Sequence, residues 1–255
     1  MATTQSQKHL YFEVRGTGDS VLLVPGTPGD AGQFDGLADV LAESYQVITY
    51  DRAGASRSAA TSTTGVDHHA DDAAGLLRDL ASGPAVVYGT SNGALVALEL
   101  ALRHPSLVSR VVLHEPPLLS VLADPAPVGA MLGEVIGTAM ERGGPPAALE
   151  AFLRFAYGDA VVDAWPEPFR ARMFANADAV FATELPAFQS YRPDDASLRT
   201  LDVPVVVAVG EDQDAPFFHE AADWIADRVD VTVTSTPGAH GPQFTCPEAL
   251  AQKLF

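Results

Sequence analysis

The residues best suited to chemistry lie in the segment VVYGTSNGALVALELALRHP, residues 86–105. Ser91 lies between Gly89 and Gly93 with the spacing G-x-S-x-G, after a β-branched run and before a helical pattern. In a sharp strand-to-helix turn, the positions two residues from the serine must lack bulky side chains so that strand and helix can approach closely. This context predicts a nucleophilic Ser91; the alternative is an ordinary turn residue.

A second candidate is His240, in the segment TPGAHGPQF (236–244) after the last predicted strand. An imidazole can take the proton of a serine hydroxyl and return it to a leaving group. Of the seven histidines, His240 alone lies in a glycine-flanked loop after a strand late in the chain. By contrast, His68 and His69 are predicted to lie exposed on a polar helix face.

Three carboxylates could orient the ring of His240. Glu115 ends the predicted strand VVLHE and precedes two prolines that fix its loop. Asp212 and Asp214 lie in the acidic turn GEDQD, which follows the strand VPVVVAVG. A carboxylate at the C-terminal end of a strand beside the serine is well placed to hold the correct histidine tautomer. This favours Glu115, and Asp214 and Asp212 remain the alternatives.

Backbone donors for a developing negative charge are predicted in two places. The segment LLVPGTPGD (22–30) turns after a strand without bulky residues and can aim the N–H of Thr27 at the point above Ser91. The N–H of Asn92 lies next to the serine at the start of a helix. Two such N–H groups form an oxyanion hole, which stabilises the transition state of acyl transfer.

Short apolar runs must form the scaffold that positions these residues. Several of them are continuously apolar, as in parallel strands covered on both faces, and helical patterns separate them. The alternation predicts an α/β fold, a doubly wound and mostly parallel sheet of about seven strands. No strand pattern occurs in residues 116–200, which predicts a helical lid inserted into a core of residues 1–115 and 201–255. The runs are HLYFEVRG, SVLLVPG, YQVITYD, AVVYG, RVVLHE, VPVVVAVG and VDVTVTST.

The motifs VPGTPGD, YDRAGASRS, GTSNG, RHPSLVSRVVL, VVVAVGEDQD and PGAHG together resemble those of α/β-hydrolase-fold proteins, over residues 10–255. The resemblance implies Ser91 as nucleophile, His240 as base, and Thr27 and Asn92 as the oxyanion hole. In the loop after VPVVVAVG, family members usually carry Gly-x-x-Asp, but Gln213 occupies the aspartate position here.

Composition narrows the classes of partner. The 255 residues include 15 Lys and Arg against 33 Asp and Glu, a formal net charge of −18. Nucleic acids and anionic membranes require a cationic face, so neither is an expected partner. One cysteine, and no apolar signal within residues 1–10, predict a cytoplasmic protein. No motif for a cofactor or a metal is found, the expected partner is a small-molecule substrate, and the oligomeric state stays open.

The sequence therefore predicts a serine hydrolase that cleaves an ester, thioester or lactone of a small, neutral, hydrophobic substrate through an acyl-enzyme on Ser91. The alternatives are a cofactor-free lyase, cyclase or other tailoring enzyme on the same scaffold, and a non-catalytic ligand receptor. A peptidase resembling proline iminopeptidases is a further alternative. It would need acidic residues to grip the substrate's amino group, for which Glu167 or Glu184 in the predicted lid are available.

Overall fold

A single seven-stranded sheet organises the chain, whose residues 10–59 and 65–255 are described by a computed structural model. The strand order is β1-β3-β2-β4-β5-β6-β7; β1 pairs antiparallel with β3 and every other pairing is parallel. The predicted mostly parallel sheet is confirmed. The predicted lack of a signal within residues 1–10 falls almost wholly outside the described residues. The strands are β1 (Phe12–Arg15), β2 (Ser20–Val24), β3 (Gln46–Tyr50), β4 (Ala85–Thr90), β5 (Val108–His114), β6 (Val205–Gly210) and β7 (Thr234–Thr236).

Helices in the described residues flank this sheet or follow β5. Six of them belong to the part of the chain that carries the sheet, and six lie together between β5 and β6. The first six are α1 (Asp35–Leu41), α2 (Val66–Leu80), α3 (Asn92–Arg103), α10 (Pro216–Arg228), α11 (Pro242–Thr245) and α12 (Pro247–Leu254). The others are α4 (Ala126–Tyr157), α5 (Asp159–Ala164), α6 (Glu167–Ala175), α7 (Ala177–Ala179), α8 (Leu185–Gln189) and α9 (Asp195–Arg199).

The sheet is buried on both faces, as the apolar runs require. All five residues of β2 are buried, and alternate side chains enter different core clusters. Leu22 packs into one cluster with α2 and α3, whereas Leu23 packs into the other with α1 and α12. Successive side chains of a strand point to opposite faces, so this division places helices on both sides. Each such burial stabilises the fold by about 1.5–3 kcal/mol.

Residues 116–200 form a helical insertion between two neighbouring parallel strands, β5 and β6. The long helix α4 changes direction at Gly143 and Gly144, which lack helical dihedral angles and precede two prolines. Around Leu149, Leu153 and Met173 the insertion buries a hydrophobic cluster of its own. None of the helices in the described residues has the length and apolar character that crossing a bilayer requires.

Candidate active site

Ser91 occupies the turn between β4 and α3 in a backbone conformation that few L-residues adopt. Its φ is 53° and its ψ is −132°. A Cβ on Gly89 would lie 2.3 Å from the carbonyl oxygen of Gly93, and a Cβ on Gly93 would lie 2.2 Å from that of Val24. Real Cβ atoms do not approach so closely, so both positions require glycine. The close contact of β4, α3 and β2 therefore requires the two glycines of the spacing G-x-S-x-G.

His240 and Glu115 form a buried hydrogen-bonded pair. Glu115 directly follows β5, and its Oε2 lies 2.6 Å from Nδ1 of His240. The carboxylate also accepts hydrogen bonds from the N–H of Gly210 at 2.9 Å and from Nε2 of Gln213 at 2.8 Å. Both carboxylate oxygens are therefore satisfied, which fixes the side chain that orients the imidazole.

The electrostatics of the pair keep Glu115 ionised. Burial raises the pKa of Glu115, but four contributions together outweigh it and lower the pKa to about 2. These are the hydrogen bond and the charge of His240, the charge of His114, and the hydrogen bond from the N–H of Gly210. An ionised carboxylate accepts a hydrogen bond from the Nδ1–H of His240 and leaves the Nε2 lone pair available as a base.

The structure joins His240 to only one of the three predicted acids. Asp212 and Asp214 are exposed in the turn after β6. Between them, Gln213 turns its amide inward and donates to Glu115. Gln213 occupies the position at which the family's usual acid is expected, and in this chain it hydrogen-bonds to Glu115.

Two aromatic rings hold the imidazole of His240, and sequence reasoning did not identify either. Tyr157 stacks on it with ring centroids 5.5 Å apart, and Phe218 does so at 4.8 Å. Tyr157 ends α4 of the helical insertion, and Phe218 lies in α10 of the sheet-bearing part. The insertion therefore touches the candidate base directly. For Tyr157 the signal was the aromatic content of the insertion, which spacing alone could not assign to particular contacts; Phe218 lies outside the insertion.

Ser91, Asn92 and His240 line one cavity of about 110 Å³. Gln189 and Gln213 are the other polar lining residues, and no lining residue among those described is charged. The cavity fits a small, neutral, largely apolar group. Its apolar walls come from both the sheet-bearing part and the insertion: Pro117, Leu119, Leu132, Phe152, Phe155, Ala156, Leu185, Phe188, Ala215, Phe217 and Phe218.

The two predicted oxyanion donors lie beside the serine. A Cβ on Gly26 would lie 3.0 Å from Cβ of Ser91, so the loop that carries Thr27 passes directly against the nucleophile candidate. Asn92 is the first residue of α3, where N–H groups have no partner within the helix. Among the hydrogen bonds of the described residues, none uses the N–H of Thr27 or Asn92, and none joins Ser91 to His240. Catalytic hydrogen bonds are often long before substrate binds.

One histidine prediction is wrong. His68 is exposed as expected, but His69 is only 2% exposed. Its Nε2 lies 3.5 Å from Nη1 of Arg52, and its ring packs 5.7 Å from that of Phe188. Burial lowers the pKa of His69 well below 6.5, and the charge of Arg52 lowers it further. The buried guanidinium explains why a polar residue of α2 faces inward.

His114, the last residue of β5, is fully buried behind the candidate triad. Its Nδ1 lies 3.3 Å from Oγ1 of Thr90, and its Nε2 lies 3.1 Å from Oγ1 of Thr236. Burial lowers the pKa of His114 from 6.5 to about 4; Glu115 opposes that shift and His240 reinforces it. The neutral ring therefore links β4, β5 and β7 at the ends where the site is built.

This burial predicts a loss of stability in mild acid. Because the folded-state pKa of His114 lies below its unfolded value, the unfolded chain binds the proton more tightly. Neutral, buried His114 thereby contributes on the order of 3 kcal/mol to the free energy of unfolding. This contribution is fully present above about pH 6.5 and is lost as the pH falls to about 4. We expect His114→Gln to flatten this part of the curve of unfolding free energy against pH. His68→Gln, at an exposed histidine, should leave the slope unchanged; a wild-type slope in His114→Gln would contradict the assignment.

No group of three or more His, Cys, Asp or Glu side chains in the described residues could hold a metal ion. The acidic and histidine side chains nearest the cavity are committed to one another in the Glu115–His240 pair.

Comparisons with known proteins bear on the fold of this chain. A family model described as the alpha/beta hydrolase fold matches residues 19–229. The hydrolase YraK of Bacillus subtilis is 45% identical over 117 residues, 45% of this chain and 43% of that protein. Zearalenone hydrolase of Bionectria ochroleuca is 35% identical over 113 residues, 42% of this chain and 43% of that protein. The matched part of the chain thus spans 43% of the length of each of these two relatives.

Solved structures resemble the chain over almost its whole length. A thermophilic esterase from Thermogutta terrifontis superimposes with a TM-score of 0.74 and 25% identity, covering 95% of this chain and 90% of that one. A hydrolase from Pseudomonas aeruginosa superimposes with a TM-score of 0.78 and 21% identity, covering 96% and 92%. The second likeness bears on the fold alone.

Proposed function

Because this chain belongs to the α/β hydrolase fold family, we propose that it is an enzyme, a serine hydrolase that cleaves an ester, thioester or lactone of a small, neutral, apolar substrate. The observation that carries the proposal is the buried pair of Glu115 and His240, joined at 2.6 Å, whose His240 lines the same cavity as Ser91. A nucleophile, a base and an acid that orients the base are the parts that acyl transfer needs.

The chemistry proceeds in two halves. Nε2 of His240 takes the proton of the Ser91 hydroxyl as Oγ bonds to the acyl carbon, and the N–H groups of Thr27 and Asn92 hold the oxyanion. The tetrahedral intermediate collapses, the bond to the leaving group breaks, and the imidazolium protonates that group. Water then attacks the acyl-enzyme with His240 as base, which releases the acid and restores the serine. Glu115 stays ionised and stabilises the imidazolium in both halves.

The helical insertion acts as a lid in this proposal. It supplies Phe152, Phe155, Leu185 and Phe188 to the walls of the cavity, and its Tyr157 stacks on His240. These side chains exclude water around the acyl group and so strengthen the interactions with the oxyanion.

The peptidase alternative has less support. Glu184 is buried and bonded to Arg52 and Thr27, which leaves it unavailable to grip an amino group. Glu167 is exposed beside Arg170 and does not line the cavity. The esterase and the hydrolase YraK described above agree with the proposal.

Turnover in H₂¹⁸O tests the proposed reaction against the lyase and receptor alternatives. A p-nitrophenyl ester with a short acyl chain should give one equivalent of acid that carries ¹⁸O, because the acyl-enzyme is opened by solvent water. A lyase or cyclase would leave this ester unhydrolysed, because elimination and ring closure add no water across the ester bond, and a receptor would show no turnover. Heat-denatured protein provides the rate of spontaneous hydrolysis. Acid formed only at that background rate, or acid without ¹⁸O, would contradict the proposal.

The cavity also predicts a preference for uncharged substrates. Its lining is apolar, and the net charge of −18 repels anions, although only weakly at physiological salt. We expect kcat/KM for a neutral thioester to exceed that for the coenzyme A thioester of the same acyl group. Measuring both at low and at physiological ionic strength separates the fit of the cavity from long-range repulsion. A strong preference for the coenzyme A thioester would contradict the expectation.

A further inference from the structure

A buried ion pair connects the helical insertion to the sheet-bearing part of the molecule. Nη2 of Arg52 donates to Oε1 of Glu184 at 2.6 Å, and the two side chains are 1% and 10% exposed. Arg52 lies just after β3, whereas Glu184 lies 132 residues later in the insertion. A buried pair of this kind depends on further hydrogen bonds to compensate for its desolvation, so its other partners are informative.

Besides His69, which lies 3.5 Å from Arg52, those partners are three consecutive residues of the loop beside Ser91. Arg52 donates from Nε to the carbonyl oxygen of Pro25 at 3.1 Å, and from Nη2 to that of Gly26 at 3.4 Å. Glu184 accepts a hydrogen bond of 2.6 Å from the hydroxyl of Thr27. The pair therefore fixes the carbonyl groups of Pro25 and Gly26, which precede the predicted donor Thr27. It also fixes the side chain of Thr27.

The same network reaches the second predicted donor. Nδ2 of Asn92 donates to Oγ1 of Thr27 at 2.8 Å, so one hydroxyl connects both donor residues to Glu184. Because this hydroxyl proton is committed to the carboxylate, the backbone N–H is the donor that Thr27 can offer to an oxyanion. Arg52 also packs 5.1 Å from the ring of Phe188, which lines the cavity.

The backbone around Glu184 is unusual in a way that fits this role. Val180–Glu184 form a π-helical turn between α7 and α8. Such turns are rare, and they occur frequently at functional sites because the extra residue redirects a side chain. Here the turn ends on the carboxylate that contacts Arg52 and Thr27.

We propose that the Arg52–Glu184 pair positions the oxyanion hole, so that the helical insertion controls transition-state stabilisation as well as the shape of the cavity. This inference rests on the proposed function. Donors of an oxyanion hole must be held at 2.7–3.1 Å from the developing charge, and small displacements of a loop weaken them. Arg52 and Glu184 are thus positioning residues that act through Thr27 and Asn92.

The test compares Glu184→Gln with the wild type, using a short aliphatic trifluoromethyl ketone as the probe. Attack of Ser91 on this ketone gives a hemiketal whose oxyanion occupies the hole, whereas the matching methyl ketone reports ground-state binding. Glutamine keeps the shape and removes the charge. We expect kcat to fall about 10- to 100-fold with KM within about threefold, and the affinity for the trifluoromethyl ketone to fall in parallel. Affinity for the methyl ketone should be unchanged.

A second variant covers the possibility that Glu184→Gln leaves Arg52 unpaired and does not fold. Thr27→Val keeps the backbone N–H and the ion pair and removes only the connecting hydroxyl, so it should show the same parallel loss. The control is Tyr191→Phe, which removes a different hydrogen bond between the insertion and the sheet-bearing part, the 2.7 Å bond from the Tyr191 hydroxyl to Glu99. In this variant the affinities for both ketones should stay at the wild-type level.

Folded variants with wild-type affinity for the trifluoromethyl ketone would overturn the inference, whatever happened to kcat. Failure of the proposed function would look different, because the wild-type enzyme itself would then form no hemiketal.

Discussion

Replacing Ser91 with alanine should lower kcat for short p-nitrophenyl esters at least about 10³-fold. Nucleophile and base act as a unit, so removal of either one forfeits most of the catalysis they supply together. The fold should be preserved, because the strained φ of 53° is set by the contacts of Gly89 and Gly93 and not by the serine hydroxyl. Steady-state kinetics and the melting temperature of the variant check both parts of this expectation.

Ser190→Ala is a matched control for that experiment. Ser190 is exposed in the insertion, and its hydroxyl donates to the carbonyl oxygen of Ala187. Its loss should leave kcat within about twofold of the wild type. Turnover near the wild-type level in a folded Ser91→Ala variant would remove the nucleophile assignment.

The second large effect concerns the acid. Glu115→Gln should lower kcat by about 10²-fold or more, since an amide at this position mis-sets the tautomer of His240 and does not stabilise its imidazolium. The carboxylate is the ionised partner of Nδ1 at 2.6 Å, with its pKa lowered to about 2. Kinetics on p-nitrophenyl esters at neutral pH measure the loss, and circular dichroism establishes that the variant is folded.

Asp214→Asn separates the two positions for the acid. Asp214 is exposed one residue after Gln213, and its replacement should cost less than about tenfold in kcat. If Asp214→Asn were the more damaging change, the acid would belong to the loop after β6, and Glu115 would serve only to anchor the start of the insertion.

Local spacing was enough to predict the scaffold and the turn at Ser91. Seven apolar runs correspond to seven strands. The inner strand β2 is buried along its whole length and therefore has a simple pattern, whereas the edge strands β1 and β7 are partly exposed. Gly89 and Gly93 indicated the turn because the carbonyl of Gly93 excludes a side chain at Gly89 and the carbonyl of Val24 excludes one at Gly93. These constraints fix the residue types at a few neighbouring positions, so they can be recognised from the sequence.

The partners of the site could not be predicted in the same way, because distant segments supply them. Strand alternation does not determine the direction of Glu115, whose φ of 47° turns it out of the regular pattern of β5. The sequence identified Glu184 only as a possible amine ligand. Its contact with Thr27 crosses 157 positions and depends on a π-helical turn that has no sequence signature. His69 was misassigned for a related reason, since its partner Arg52 lies on another element.

The most direct test of the account is the site at which a fluorophosphonate reacts. Its phosphorus forms a stable bond to the activated serine oxygen as fluoride leaves, so peptide mapping by mass spectrometry identifies the nucleophile. The account predicts one adduct per chain, on Ser91, with esterase activity lost in proportion to labelling. An adduct on another residue, or full activity in protein labelled completely on Ser91, would contradict it.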